Sequence, residues 1–130
     1  MVNNHWGRII NISSIFGIRG VDRNLPYTVS KHGLSGLTKT IAKEYARMGI
    51  TCNEICPGPI DSEMIRRIAA DKFREEGVNP QEYLSELENE IPAGRLSKVE
   101  DVTSLCVFLA SKDAQYINGV SIPVDGGLTC

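Results

Sequence analysis

The chain has 130 residues, 42% of them apolar and 23% charged, with a formal net charge of −2. That suits one soluble domain with one core, and it gives no electrostatic case for nucleic acid or an acidic membrane. No apolar run nears the roughly 18 residues a spanning helix needs, and Met1 to Ile10 does not read as a signal peptide.

In chain order, Gly7-Arg-Ile-Ile-Asn-Ile-Ser13 is a short apolar run that reads as a strand buried on both faces, with Ser14 closing it. Ile15 to Leu25 is a glycine-containing loop. Pro26 to Met48 carries Val29, Leu34, Leu37, Ile41, Ala42 and Tyr45 at helical spacing, with Pro26 in the first turn and Gly49 as the stop. Ile50 to Cys56 is a second buried strand, ended by Pro57-Gly58-Pro59. Asp61 to Asn89 is charge-rich and reads as two helical segments broken near Gly77-Val-Asn-Pro80, with Asn79 starting the second. Its expected charge pairs are Arg66 or Arg67 with Asp71; Glu82 and Glu86 share a face unfavourably. Ser97-Lys-Val-Glu100 reads as a capping box opening a helix to about Ser111, with Val102, Leu105, Cys106 and Leu109 on one face. Val120 to Val124 is a third strand, followed by the turn Asp125-Gly-Gly127.

Strands alternating with helices predict parallel pairing and right-handed crossovers, with ligands at the carboxyl ends of the strands. The fold class is therefore α/β. The cysteines Cys52, Cys56, Cys106 and Cys130 match no zinc spacing, and Cys52 and Cys56 lie too far apart along one strand face to bridge. They are expected as free thiols of a reducing cytosol, and no metal site is expected.

The spacing with most chemical content is Tyr27-x-x-x-Lys31, preceded by Ser14 at the end of the first strand. Helical residues four apart share a face, so the Lys31 ammonium is placed beside the Tyr27 phenol. A cation there favours the phenolate and makes the phenol a usable proton donor and acceptor. Ser14 is placed to hydrogen-bond a substrate oxygen facing that phenol. His32, next along the helix, points elsewhere and is expected on the surface. Asn53 is expected to bond backbone.

These residues bring the chain into likeness with a known family. Gly7-Arg-Ile-Ile-Asn-Ile-Ser-Ser14, Tyr27-x-x-x-Lys31, Asn53-x-x-x-Pro57-Gly58, Asn118-Gly119 and Asp125-Gly-Gly127 follow one another as in the short-chain dehydrogenase/reductase superfamily of the classical type. The chain resembles the C-terminal half of such proteins, among them the 3-oxoacyl-ACP reductases and the 3-hydroxybutyrate and sugar-alcohol dehydrogenases. The resemblance implies half of a doubly wound Rossmann-type sheet, about three strands with flanking helices. Residues 1–130 would form one partial Rossmann-like domain, and 61–91 a helical lid over substrate. Met64, Ile65, Ile68, Phe73, Tyr83 and Leu87 would include the substrate-facing residues.

The implied activity is hydride transfer between NAD or NADP and a secondary alcohol or ketone, with small-molecule substrates and a cytoplasmic setting. Ser14, Tyr27 and Lys31 would be catalytic. Tyr27, Lys31, Pro57, Gly58, Ile60 and Ser62 would contact the cofactor; for Gly58 a turn role, and for Ser62 a helix cap, are the structural alternatives. A homodimer or homotetramer through the last strand and its preceding helix, or through the Tyr27 helix, is expected by the same likeness. The sequence departs from the family in holding no G-x-G-x-x-G or G-x-x-x-G-x-G cradle for the pyrophosphate. The expectation is then a cleaved or truncated product, a chain whose remainder is missing, or completion by a partner, with an exposed edge on the first strand. The rival reading is a non-catalytic truncated homologue that acts through oligomerisation.

Overall fold

Every residue of Ile50–Pro57 is buried, and the rest of the chain is arranged around that strand. The computed structural model of the chain describes residues 1–130. The elements are β1 (Gly7–Ile12), α1 (Leu25–Tyr45), β2 (Ile50–Pro57), α2 (Glu63–Glu76), α3 (Pro80–Glu90), α4 (Val99–Ala110) and β3 (Ser121–Val124). The sheet order is β1-β2-β3. Both pairings are parallel, with Gly7 opposite Ile50 and Ile12 opposite Ile55 on one side of β2, and Glu54 opposite Ser121 on the other. Alternation of strands and helices thus yields the expected parallel α/β layers.

A strand buried on both faces must find a partner layer for each. Ile55 points to α4, where Val102 and Leu109, together with Ala114 beyond the end of the helix, close around it and Ile10, Leu105, Cys106, Ile117 and Ile122 pack at the margin. The face of α4 read from the sequence is the one that packs. The other face of β2 carries Cys52, Glu54 and Cys56, and α1 covers it with a different chemistry.

Helix α1 forms where its spacing indicates, and the face it buries is largely polar. Its buried residues are Ser35, Thr38 and Ala42, whereas Val29 is 61% and Leu37 50% exposed. The physical reason is the polar surface beneath it. Thr38 Oγ1 accepts from the Asn11 amide at 2.9 Å, and the Ser35 hydroxyl lies 3.0 Å from the Glu54 carboxyl. The helix turns its hydroxyls inward because buried polar groups need partners.

Two boundaries also differ. Regular pairing of β1 ends at Ile12, although the Ser13 amide still donates to the Ile55 carbonyl at 2.8 Å. β1 is half-buried along most of its length and pairs only with β2. Helix α4 starts one residue later than the expected box: the Asp101 carboxylate accepts from the Lys98 amide at 2.7 Å, while the Ser97 hydroxyl donates to the Pro59 carbonyl. Asp101 is also paired with Arg95 at 2.7 Å, and that hydrogen bond first, then the Lys98 amide, holds its carboxyl down at about 2. At the start of α3, the Asn79 side chain accepts from the Gln81 amide, as its sequence indicates.

Helices α2 and α3 pack on one another between β2 and α4. Their stem is closed by a single parallel bridge between Ile60 and Ser97, with the Asp61 amide bonded to the Ser97 carbonyl at 2.8 Å. The surface charge pairs are not the expected ones: Arg66 reaches back to Asp61 at 2.6 Å, Asp71 pairs with Arg74, and Lys72 pairs with Glu76. Asp71 is thus taken by the cation three residues on, and Arg66 by the carboxylate ahead of the helix.

Leu109 is fully buried against Ile55 at the centre of the apolar layer. Leu109→Ala is expected to cost about 2–5 kcal/mol in urea unfolding, because it combines a lost transfer free energy with a cavity.

Candidate functional site

The site is assembled where β1 ends, where α1 begins and where β2 ends. After Ile12 the chain leaves the sheet, and Ser14 caps a short 3-10 turn over Ile15–Gly17. The Ser14 hydroxyl accepts from the Phe16 amide at 3.2 Å, which is its one hydrogen bond. Its own hydrogen is therefore free to be donated. The residue is buried but for 9% of its surface.

Tyr27 and Lys31 lie in the first turns of α1. The Tyr27 ring stands edge-on to Phe16, with centroids 6.1 Å apart, and 39% of the residue is exposed. The Lys31 ammonium lies 5.4 Å from the Tyr27 ring centroid and donates to the Ile12 carbonyl at 3.2 Å. One lysine thus touches both the tyrosine and the end of the strand that leads to Ser14. The spacing read from the sequence does bring the two side chains onto one face.

Gly17 explains how the serine turn fits against the helix. A Cβ there would lie 2.7 Å from Ser13 Oγ and 3.0 Å from the Lys31 carbonyl oxygen. The turn and the helix backbone meet at that point, beside Lys31 itself.

The end of β2 supplies the third wall. The Gly58 amide donates to the Val124 carbonyl at 3.0 Å, and a Cβ on Gly58 would strike Asp125 at 2.9 Å. This packing accounts for the glycine by itself. Gly58, Pro59 and Ile60 are half-buried, and Pro57 is buried. Ser62 caps α2 by position but makes no capping hydrogen bond, so its hydroxyl is unengaged. Asp125 is held in its turn by the amides of Gly127 and Thr129 and by the Thr129 hydroxyl.

The thiols take no part. Burial, more than any other cause, pushes Cys56 up to about 11 and raises Cys52 as well. At neutral pH both are thiols rather than nucleophilic thiolates. All four cysteines are free. No group of histidine, cysteine and carboxylate residues is placed to hold a metal. His32 is exposed and its Nδ1 lies 3.0 Å from the Thr28 carbonyl. Asn53 donates to the Ile117 carbonyl and accepts from the Val120 amide, holding the approach to β3.

Sequence reasoning overlooked the polar layer behind this site. Glu54 is fully buried with Ser35 and Ser121 on its carboxyl oxygens. Its signal was visible as a lone acidic residue in an otherwise uncharged strand.

The donor set, one free hydroxyl, one phenol, one ammonium and one unengaged serine, suits the hydroxyls and carboxamide at the nicotinamide end of a dinucleotide. No element of these residues matches the glycine-rich cradle that its pyrophosphate requires.

Known proteins bear on the same point. A family model described as "Enoyl-(Acyl carrier protein) reductase" matches residues 1–129. An acetoacetyl-CoA reductase of Rhizobium meliloti is 45% identical over 122 residues, which are 94% of this chain and 46% of that protein. A D-beta-hydroxybutyrate dehydrogenase of the same organism is 39% identical over 126 residues, 95% of this chain and 48% of the relative. Among solved structures, an actinorhodin polyketide ketoreductase with NADPH superposes with a TM-score of 0.93 at 33% identity, over 98% of this chain and 49% of that one. The chain spans about half the length of the curated relatives it matches. It belongs to the short-chain dehydrogenase/reductase superfamily, and its three-stranded parallel sheet is part of that family's Rossmann-type fold.

Gly17→Ala is expected to cost about 1–3 kcal/mol in thermal or urea unfolding, because the added methyl meets backbone that cannot yield. A two-dimensional NMR spectrum should show shifts concentrated at Ser13–Gly17 and Lys31.

Proposed function

We propose, starting from that family membership, that the protein is an NAD(P)-dependent oxidoreductase that interconverts a ketone and a secondary alcohol, and that this chain carries its proton-transfer and substrate side. The observation that carries the reading is the position of the Lys31 ammonium, against the Tyr27 ring and on the Ile12 carbonyl at once.

In this reading Ser14 donates its free hydrogen to the substrate carbonyl oxygen and fixes where that oxygen lies. Tyr27 delivers a proton to the same oxygen in reduction and removes it in oxidation. Such positioned proton transfer contributes about 10²–10⁴-fold. Lys31 supplies the fixed positive charge that favours the phenolate when the proton has left. Tyr27, Lys31, Pro57, Gly58, Ile60 and Ser62 would hold the nicotinamide end of the cofactor, with NAD and NADP both consistent with the family. When bound, that group supplies or accepts the hydride. The relatives' names converge on 3-oxo and 3-hydroxyacyl compounds, so acetoacetyl thioesters are the first substrates to assay.

The helical pair over 61–91 acts here as a lid. Its stem is fixed by the Ile60–Ser97 bridge, while Met64, Ile68 and Phe73 present exposed apolar surface. A fixed stem with an exposed apolar cover is what closing over a substrate needs.

Tyr27→Phe is expected to lower ketone reduction by at least about 100-fold while circular dichroism and Tm stay near wild type. Full activity in that variant would overturn the acid/base role.

We also propose that the protein self-associates, through the exposed apolar face of α4. Val107 is 72% and Phe108 42% exposed there. A patch of this kind marks an interaction surface. Val107→Asp is expected to reduce the sedimenting species to a smaller mass; a wild-type chain already monomeric at micromolar concentration would contradict it. Association without any ketone reduction or nicotinamide binding would favour the non-catalytic, oligomerising homologue instead.

A further inference from the structure

Asn118 is the only asparagine of the chain followed by glycine. Its side chain ties two other elements together just ahead of β3. Oδ1 accepts from the Cys52 amide of β2 at 2.8 Å, and Nδ2 donates to the Ala42 carbonyl of α1 at 3.1 Å. The Gly119 amide donates to the Cys52 carbonyl at 2.9 Å. Asn118 and Gly119 thus pair with both backbone groups of Cys52, in the place a longer β3 would take. Asn53 fixes the length of the same segment. Its side chain donates to the Ile117 carbonyl at 2.8 Å and accepts from the Val120 amide at 3.3 Å.

Gly119 is held at φ 77° and packs so closely on α1 that a Cβ would lie 3.2 Å from that of Ala42. The turn therefore requires glycine. The missing Cβ has a chemical consequence as well. Asparagine is thermolabile, and its cyclisation onto the next backbone nitrogen is least hindered when that residue is glycine. The Gly119 nitrogen gives its proton to base and attacks Asn118 Cγ. The N–Cγ bond forms, the Cγ–Nδ2 bond breaks, and ammonia leaves. Water then opens the succinimide to aspartate or isoaspartate. One water is consumed and one ammonia released, with nothing oxidised or reduced. Both residues are half-buried and line a groove of about 630 Å³ with Lys39, Thr40 and Lys43, so solvent reaches them.

The docked joint blocks this chemistry at two points. The Gly119 hydrogen is committed to Cys52, and Asn118 Cγ is fixed from both sides by the bonds of Oδ1 and Nδ2. Neither product restores the joint. An ionised aspartate has no hydrogen for the Ala42 carbonyl and sets a carboxylate oxygen against it. Isoaspartate also adds one carbon to the backbone between Ile117 and Val120, the span that Asn53 fixes. We propose that Asn118–Gly119 is a fold-gated deamidation site: silent while docked on Cys52 and Ala42, converted once that joint opens, and unable to dock again afterwards. The inference does not depend on the proposed redox reaction, and its test uses no turnover.

The 130-residue chain is aged in mildly alkaline buffer with and without guanidinium, and peptide mass mapping with isoaspartate methylation follows the step. Conversion at Asn118 should be at least about tenfold slower in the folded chain than in the unfolded one. In guanidinium too dilute to unfold the chain, it should rise in step with hydrogen exchange of the Gly119 amide. Equal rates folded and unfolded, or no conversion at this step in the unfolded chain, would overturn the site. A folded-state rate indifferent to Gly119 exchange would overturn the gate. Asn118→Asp, made directly, reads the product. It should exchange the Gly119 amide at least about tenfold faster than the unsubstituted chain, while the Ser13 amide, bonded to the Ile55 carbonyl, stays slow. The converted chain, returned to buffer, should match it. A substituted chain with Gly119 exchange and Tm equal to wild type would overturn the claim that the joint cannot re-form.

Discussion

Complete burial of β2 is the constraint on which the rest of the structure depends. A strand with neighbours on both edges and helices over both faces cannot leave any group unmatched. Its two faces meet that demand by different chemistry. Ile55 looks to an apolar layer from α4, while Cys52, Glu54 and Cys56 look to the hydroxyl face of α1. The apolar side gives cohesion without direction. The polar side sets direction, because hydrogen bonds are satisfied only in one rotation and one height of the helix.

That directional side is also the side of the candidate site. Helix α1 is located against β1 and β2 by Asn11 with Thr38, by Ser35 with Glu54 and Gly17, and by Lys31 with the Ile12 carbonyl. Tyr27 therefore inherits its position from contacts made one to three turns further along the helix. Ser14 inherits its position from a turn packed so closely on α1 that only glycine fits at Gly17. Exposed apolar residues lie on the faces this scheme leaves uncovered: Val29 and Leu37 on α1, Val107 and Phe108 on α4, and Met64 and Phe73 on α2. Burial of β2 consumes one face of each covering helix and leaves the other for partners or ligands.

Much of this was legible in the amino-acid order because it rests on periodicity and on turn chemistry. The strand and helix sequence, the parallel pairing, the inward face of α4 and the start of α3 at Asn79-Pro80 follow from local rules. The juxtaposition of Tyr27 and Lys31 follows from helical geometry alone. The orientation of α1 did not, because hydropathy assigns Val29 and Leu37 inward, and only knowledge of Glu54 beneath the helix reverses that choice. Charge pairing on α2 was equally hidden. Several cations compete for each carboxylate at similar spacing, and the winner is decided by the loop that brings Asp61 to Arg66. Whether Gly58 serves a ligand or its neighbour was also beyond the sequence, since Asp125 is distant in the chain and adjacent in space.

The central claim is that Ser14 and Tyr27 act on one substrate oxygen as a single device. A double-mutant cycle on ketone reduction, with Ser14→Ala, Tyr27→Phe and the pair, tests it most directly. Groups that act as a unit are strongly non-additive, so the pair should be little slower than the slower single variant. Losses that multiply through, to the product of the two single effects, would show that the serine and the tyrosine act independently and would contradict the account.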